Sequence, residues 1–361
     1  TTLRIQTLRN LRTTSIPGLR RHNIFFGQNG SGKTSILEAV HLLGMARSFR
    51  SGSLKALITH GESGSTVFGE GSTEAGTLRA LGVSRALDGG VNLRIAGEAV
   101  RSVAMLADEL PLLFINAESF ELLTGQPVQR RRFLDWGVFH VEHGFREQGQ
   151  RFQRALSQRN HLLRRGRLAP EELAPWNRDV ALYGEAVSEG RERFIKRLQP
   201  VFAGLLEVLA PELGDVDLRY RRGWEAGTAY LEVLERSLGS DKEQGFTQSG
   251  PQRADLKVSV GGYSAAETLS RGQQKLVVCA LKLAQGRVLA EGAPERAVYL
   301  IDDLPSELDA ERCERVCRCL SGLGAQTLLT CVDRDAVPAQ WLGDQDEVAM
   351  FHVEHGQVAA I

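Results

Sequence analysis

The sequence predicts an α/β fold, a mixed sheet carrying an antiparallel β subdomain, with a helical lobe inserted. Three observations predict it. A glycine-rich loop sits between an apolar run and an apolar helical pattern near the N-terminus. Residues 48–100 are rich in Gly, Ser and Thr, with short apolar runs at strand spacing. Residues 127–211 then read as helix before a mixed pattern returns.

The loop is Gly27-Gln28-Asn29-Gly30-Ser31-Gly32-Lys33-Thr34-Ser35, a match to G-x-x-x-x-G-K-[ST]. Ile24-Phe25-Phe26 before it reads as a buried strand, and Ile36, Leu37, Val40 and Leu43 after it recur at helical spacing. Glycines let the backbone curl so that successive N–H groups point at phosphate oxygens. The helix N-terminus adds its partial positive charge at the same point. Lys33 would reach the β- and γ-phosphates and the Thr34 hydroxyl would ligate Mg²⁺, so ATP and Mg²⁺ are the expected ligands. The plainer alternative is a glycine-rich turn that happens to precede a lysine.

Before the loop, Leu3, Ile5 and Leu8 alternate as in a strand, Arg9–Arg12 turns, and His22–Phe26 is the loop's strand. After it, Ser65–Gly69, Leu78–Ser84 and Val91–Ile95 suit antiparallel strands, and Leu112–Ile115 suits a buried one. The helical stretch is expected to break at Pro170 and Pro175. Further on, Asp255–Val260, Val298–Ile301 and Gln326–Cys331 read as strands and Gln273–Leu289 as a helix. The expected division is 1–124 with 212–361 as the nucleotide-binding domain and 125–211 as the inserted lobe.

Charge is balanced, with 44 basic and 44 acidic residues, so the net value points to no polyanion. Its distribution says more. Ten arginines and three acidic residues fall between Arg130 and Arg167. Arg130, Arg131 and Arg132 open this stretch; Arg151, Arg154, Gln158 and His161 follow at helical intervals. A solvated helical face and a phosphate-contacting, DNA-binding surface both fit that pattern.

No apolar run approaches the roughly 20 residues that span a bilayer, and no signal-peptide pattern opens the chain. The Thr-Thr start is expected to follow a removed initiator Met. The five cysteines fit a reducing compartment better than a disulfide framework. A soluble, cytoplasmic protein is expected. Cys313, Cys317 and Cys319 lack a zinc spacing; Cys313 and Cys317 fall on one face of an expected helix and are expected to pack as small hydrophobes. Phe-His-Val-Glu-His-Gly occurs at 139–144 and 351–356. In a strand the two histidines of the second copy point apart, so ordinary histidines are expected rather than a metal site.

Two further stretches carry chemistry. Val298–Ile301 ends in Asp302-Asp303. Such a strand beside the loop's strand would deliver Asp302 to the Mg²⁺ and Asp303 to an attacking water. Leu269-Ser270-Arg271-Gly272-Gln273 starts a helix with a hydroxyl and free N–H groups, a second phosphate-binding terminus. One ATP held by two such termini calls for a partner subunit.

Leu269–Gln273 resembles the signature of ABC-class ATPases, in which the signature of one subunit caps the γ-phosphate on the loop of another. The order of motifs is similar too. Leu304-Pro305-Ser306-Glu307-Leu308-Asp309 resembles the D-loop, and Thr330 stands where many members carry a switch histidine. Within that class, Leu8–Arg12, Gly27–Ser35, Gly44–Arg50, Asn116–Phe120, Gly125–Asp135, Gly250–Leu256 and Asp302–Asp309 resemble blocks of the RecF family over nearly the whole chain. Gln252 replaces the family's usual His, and Asn116-Ala117 its usual Ser/Thr-Pro.

This resemblance implies an ABC-type P-loop ATPase head without a long coiled coil. It implies catalytic roles for Lys33, Asp303 and Ser270, nucleotide contacts from Gly27 through Ser35 and from Ser270, Gly272 and Gln273, and metal contacts from Thr34 and Asp302. It also implies an ATP-dependent homodimer with weak DNA-stimulated ATPase activity, bound at single-/double-strand junctions at gaps. RecR would be a partner, with RecO and RecA reached indirectly. An ABC transporter subunit, a small-molecule kinase and a chromosome-structuring head protein are the alternatives weighed against it.

Overall fold

The computed structural model describes residues 1–72, 78–165, 170–291, 297–338, 341 and 346–361. They form two compact units: 1–120 with 275–361, and 121–274.

In the first unit, β1 (Thr2–Leu8) and β2 (Leu11–Ile16) make a hairpin whose turn is only Arg9-Asn10, shorter than the Arg9–Arg12 turn expected. Then β3 (His22–Phe26) leads through the glycine-rich loop into α1 (Lys33–Met45). Next come α2 (Leu54–Leu57), β4 (Gly64–Ser72), β5 (Leu78–Ala86), β6 (Val91–Ile95), β7 (Glu98–Val100), α3 (Val103–Glu109) and β8 (Leu112–Ile115).

The second unit holds α4 (Glu121–Thr124), α5 (Pro127–Val141), α6 (Phe145–Arg164), α7 (Pro170–Leu209), β9 (Val216–Arg221), α8 (Tyr230–Arg236), α9 (Leu238–Gln244), β10 (Asp255–Val260), β11 (Tyr263–Ser264) and α10 (Ala265–Thr268). Helix α11 (Arg271–Leu289) begins in it, and the division falls after Gln274. The first unit resumes with β12 (Val298–Ile301), α12 (Leu304–Glu307), α13 (Ala310–Ser321), β13 (Gln326–Cys331), β14 (Val348–Glu354) and β15 (Gln357–Ala360).

Two six-stranded sheets build the first unit. One is antiparallel, ordered β2-β1-β4-β5-β6-β7; the other is ordered β15-β14-β3-β13-β12-β8, parallel except at β15. Helix α1 touches both sheets, which explains why Ile36, Leu37, Ala39, Val40, Leu42 and Leu43 are all buried rather than one stripe of them. Its apolar side chains merge with Leu3, Ile5, Val67 and Val83 from one sheet and Phe25, Leu300, Leu328 and Phe351 from the other into one core. Strand β3 pairs with β14 and β13, not with β12. The strand ending in Asp302-Asp303 is therefore one strand removed from the loop's strand, correcting the expected neighbour relation. A buried parallel sheet gives each strand the same apolar signature, so order could not be read from residue type.

The second unit is larger than the expected lobe, because 212–274 joins it. Strand β9 packs on α7 and β10 on α5, with β11-β10-β9 as a small antiparallel sheet. Ion pairs stitch the parts together: Arg159 to Asp241 and Arg130 to Asp255 are buried, and buried Arg191 pairs with the more exposed Asp135. Pro175 does not break the helix. It lies inside α7, in the second turn, where a missing N–H removes a single helical bond.

Candidate nucleotide site and basic surface

The glycine-rich loop follows the carboxyl end of β3, the end of a parallel sheet where ligand crevices form. Its backbone is shaped from three sides. Gly27 has φ +148°, and a Cβ there would stand 2.2 Å from the Val353 carbonyl oxygen, so no other residue fits. The Asn10 side chain donates to the carbonyls of Gly30 and Ser31 at 3.3 and 3.0 Å, and accepts from Ser35 Oγ at 3.0 Å. From the β14–β15 turn, the Gly356 N–H donates to the Ser31 carbonyl at 2.8 Å.

Lys33 lies in that loop with only 7% of its surface exposed. Its Nζ donates to the carbonyls of Gly27 and Gln28 at 2.7 and 2.9 Å. Burial pulls its pKa down; Asp303, Cys331 and Asp302 pull it back up. Thr34 Oγ1 donates to Asp302 Oδ1 at 3.0 Å, across the position of β13. The same carboxylate oxygen accepts from Thr330 Oγ1 at 2.7 Å. Asp303 has φ +54° and precedes α12; its Oδ1 is buried and has no hydrogen-bond partner among the described residues. A cavity of about 610 Å³ brings Asn29, Gly30, Gly32, Lys33, Thr34, Ser35, Asp302, Asp303 and Thr330 together.

Mg²⁺ would suit this donor set: a hydroxyl and a carboxylate, both hard oxygen ligands, leaving further positions for phosphate oxygens and water.

Sequence reasoning missed the support behind the loop. Glu38 on α1 is 0% exposed. It accepts from Arg9 Nε and Nη2 at 2.8 and 2.7 Å and from Ser48 Oγ, with Arg50 4.0 Å away. Arg9 also has φ +54°, so the ion pair holds the tight turn that presents Asn10. A buried glutamate one turn into an apolar helix, with arginines in the flanking blocks, was the available signal.

In the second unit, Ser270 and Gln273 close a reciprocal capping box. Ser270 N–H donates to Gln273 Oε1 at 3.0 Å, and Gln273 N–H to Ser270 Oγ at 3.4 Å. Ser270 is exposed at the start of α11, and Gly272 is half-buried in its first turn.

The arginines divide sharply. Arg130 does not belong to a DNA-facing surface. It is 7% exposed, donates to both oxygens of Asp255, and meets the carbonyls of Leu122, Leu123 and Gly125. Its spacing next to Arg131 and Arg132 could not reveal this, because adjacent helix positions face different ways. Arg131 is half-buried and donates to the Ala254 carbonyl at 2.9 Å; burial and then Arg191 push its pKa down. Arg132, Arg151 and Arg154 are exposed. Arg151 is paired with Glu147 at 2.5 Å and bonded to the Tyr183 hydroxyl at 3.0 Å. Gln153, Ser157, Gln158, His161, Arg164 and Arg165 extend the exposed face of α6, with no carboxylate on that helix after Glu147. Arg167 lies outside the described residues.

Cys313 and Cys317 are buried on α13 as expected, and the described residues contain no group of three or more His, Cys, Asp or Glu that could hold a metal. No described helix is long and apolar enough to cross a membrane.

A family model described as the RecF/RecN/SMC N terminal domain matches residues 1–358. The chain is 50% identical over 359 residues to the DNA replication and repair protein RecF of Stutzerimonas stutzeri (strain A1501), covering 99% of this chain and 96% of that protein. RecF of Azotobacter vinelandii is 49% identical over 354 residues, 98% of this chain and 96% of that one. Among solved structures, the recombination mediator protein RecF with ATP superposes with a TM-score of 0.87 at 24% identity, over 100% of this chain and 97% of that one. An Smc head domain from Pyrococcus furiosus superposes at 0.60 and 14% identity, over 100% and 95%. These likenesses place the fold with RecF and Smc head domains, and by sequence the chain belongs to the RecF family.

Proposed function

We propose that this chain is an ATP-dependent DNA-binding protein of recombinational repair and replication restart, acting as an ATP-induced homodimer at gap junctions. The observation that carries the nucleotide reading is the convergence of Lys33, Thr34 and Asp302 at the carboxyl end of the parallel sheet. The relatives' description as DNA replication and repair proteins supports the biological role. That the RecF of the superposed structure is assigned to the RecFOR pathway supports RecR as a partner, with RecO reached through it; RecA is the recombinase that such a pathway would load.

In this reading the loop N–H groups and the start of α1 hold the phosphates of ATP. Lys33 exchanges its carbonyl partners for phosphate oxygens, a stronger charge-assisted bond that offsets its burial. Thr34 and Asp302 would hold Mg²⁺, which neutralises charge developing on the transferred phosphoryl group. Asp303, with a buried carboxylate oxygen unpartnered, orients the attacking water and takes up its proton. Ser270, Gly272 and Gln273 cap the γ-phosphate on the loop of the second subunit. Hydrolysis is slow, stimulated by DNA, and times release. Arg132, Arg151, Arg154 and the exposed face of α6 contact DNA phosphates.

Mixed dimers test the shared site. Lys33→Met spoils one half of each composite site and Ser270→Arg the other, so each variant alone should be inactive. The mixed dimer has one intact site of two, so mixing should restore turnover above either parent, up to roughly half of wild type where every dimer is mixed. ATP hydrolysis by monomeric Ser270→Arg protein would sink the dimer reading.

A further inference from the structure

We infer that Thr330 is a positioning residue for hydrolysis: its hydroxyl ties the Asp302 carboxylate to the Asp303 turn and thereby sets where the Asp303 carboxylate stands. The inference rests on the reading of Asp302 and Asp303 given above and extends it to a residue with no ligand role of its own.

The geometry starts from strand order. Because β13 lies between β3 and β12, its carboxyl end stands between the loop and the two aspartates. Thr330 is paired with Phe25 of β3, one residue before the strand ends, and is 0% exposed. A hydroxyl has one proton to give and two lone pairs to receive with. Thr330 uses both capacities. It donates to Asp302 Oδ1 at 2.7 Å and accepts the Asp303 N–H at 3.0 Å. Its own carbonyl shares that N–H at 3.1 Å.

The two bonds have different consequences. Asp302 Oδ1 receives two hydroxyl protons, one from Thr34 on the loop side and one from Thr330 on the far side, so its orientation is fixed from both directions. Asp303 occupies the left-handed region at φ +54°, a conformation that strains a non-glycine residue and persists where neighbours enforce it. Among the described residues, Asp303 Oδ1 has no side-chain partner to steer it. The carboxylate's place therefore follows from its backbone, and the backbone turn is held by Thr330. A serine could make the same two bonds; valine has the shape of threonine and can make neither.

The test is Thr330→Val and Thr330→Ser, each alone and combined with Asp303→Asn. Thr330→Val should lower kcat about 10- to 100-fold while ATP affinity stays within about threefold, since the loop and Lys33 are untouched. Thr330→Ser should return kcat to within about threefold of wild type. In the Asp303→Asn background at saturating Mg²⁺, Thr330→Val should change the residual rate by less than about threefold, because its effect on kcat acts through the carboxylate already removed. As a readout apart from turnover, Mn²⁺ affinity of the ADP-bound protein, followed by electron paramagnetic resonance, should fall about tenfold in Thr330→Val as Asp302 loses one of its two donors. Thr330→Ala serves the same purpose if the valine protein does not fold.

Wild-type turnover by folded Thr330→Val, or losses that multiply fully with Asp303→Asn, would overturn the inference. Unchanged turnover by Asp303→Asn alone would instead overturn the role given to Asp303, and the inference with it.

Discussion

Buried charge is handled in opposite ways in the two units. At the loop, Lys33 is 7% exposed yet donates to two backbone carbonyls, and Asp303 Oδ1 has no hydrogen-bond partner among the described residues. In the second unit Arg159 is 0% exposed and saturated: Asn177, Asp241 and Thr247 accept from it at 2.6–2.8 Å, with the Leu234 carbonyl at 3.4 Å. Arg130 and Arg191 are likewise matched by carboxylates and carbonyls. Burial is common to both sets. What separates a ligand-binding charge from a fold-building one is whether its hydrogen-bonding capacity is already filled.

The largest effects should fall on opposite properties. Lys33→Met should weaken ATP binding by about two decades or more, since the phosphates lose their charged partner. It should leave the melting temperature nearly unchanged, because burial already disfavours that ammonium. Arg159→Met should do the reverse, destabilising by about 3–5 kcal/mol because Asp241 stays buried without its cation. Calorimetry with and without ATP measures both. A Lys33→Met protein that melts early, or an Arg159→Met protein that does not, would break the contrast.

This contrast also marks the limit of what could be read from sequence. The loop, its flanking strand and helix, and the Asp302-Asp303 strand were legible because their chemistry is carried by residue types in contiguous order. The helical nature of 127–211 was legible from periodicity. Which arginines face water was not, because Arg130, Arg131 and Arg132 look alike in one dimension and differ only in what α5 packs against. Nor was the place of β13 between β3 and β12, since β3, β8, β12 and β13 each carry a similar buried apolar run. Glu38 with Arg9, and Asn10 with the loop, are 29 and 20 or more residues apart, distances over which no spacing rule operates.

A smaller effect sharpens the comparison within the second unit itself. Arg154 and Arg164 are exposed on α6, whereas Arg130 is enclosed. If the exposed set meets DNA phosphates, Arg154→Ala and Arg164→Ala should weaken binding to all sequences alike. The slope of log affinity against log salt should drop by about 0.9 per lost contact on duplex DNA, or about 0.7 on single strands. Arg130→Ala should lower the melting temperature instead. Unchanged salt slopes after both exposed substitutions would leave that face merely solvated.

The finest test concerns pH and the Arg130–Asp255 pair. Burial alone would raise the Asp255 carboxyl; hydrogen bonds from Arg130 and Lys257 outweigh it and hold the group below its usual value. With the folded value below the unfolded one, the ionised carboxylate adds stability that is fully present above about pH 4 and is lost as pH falls below it. Asp255→Asn removes this titration while keeping nearly the same shape. The variant should be less stable than wild type at pH 7, and the gap in urea midpoint should narrow steadily as the pH falls towards about 3. One group can alter the proton uptake on unfolding by at most about one proton, so the change in slope is small. A gap that stays constant over that range would mean that Asp255 does not carry the pair's charge, and that Arg130 is held by the carbonyls of Leu122, Leu123 and Gly125 alone.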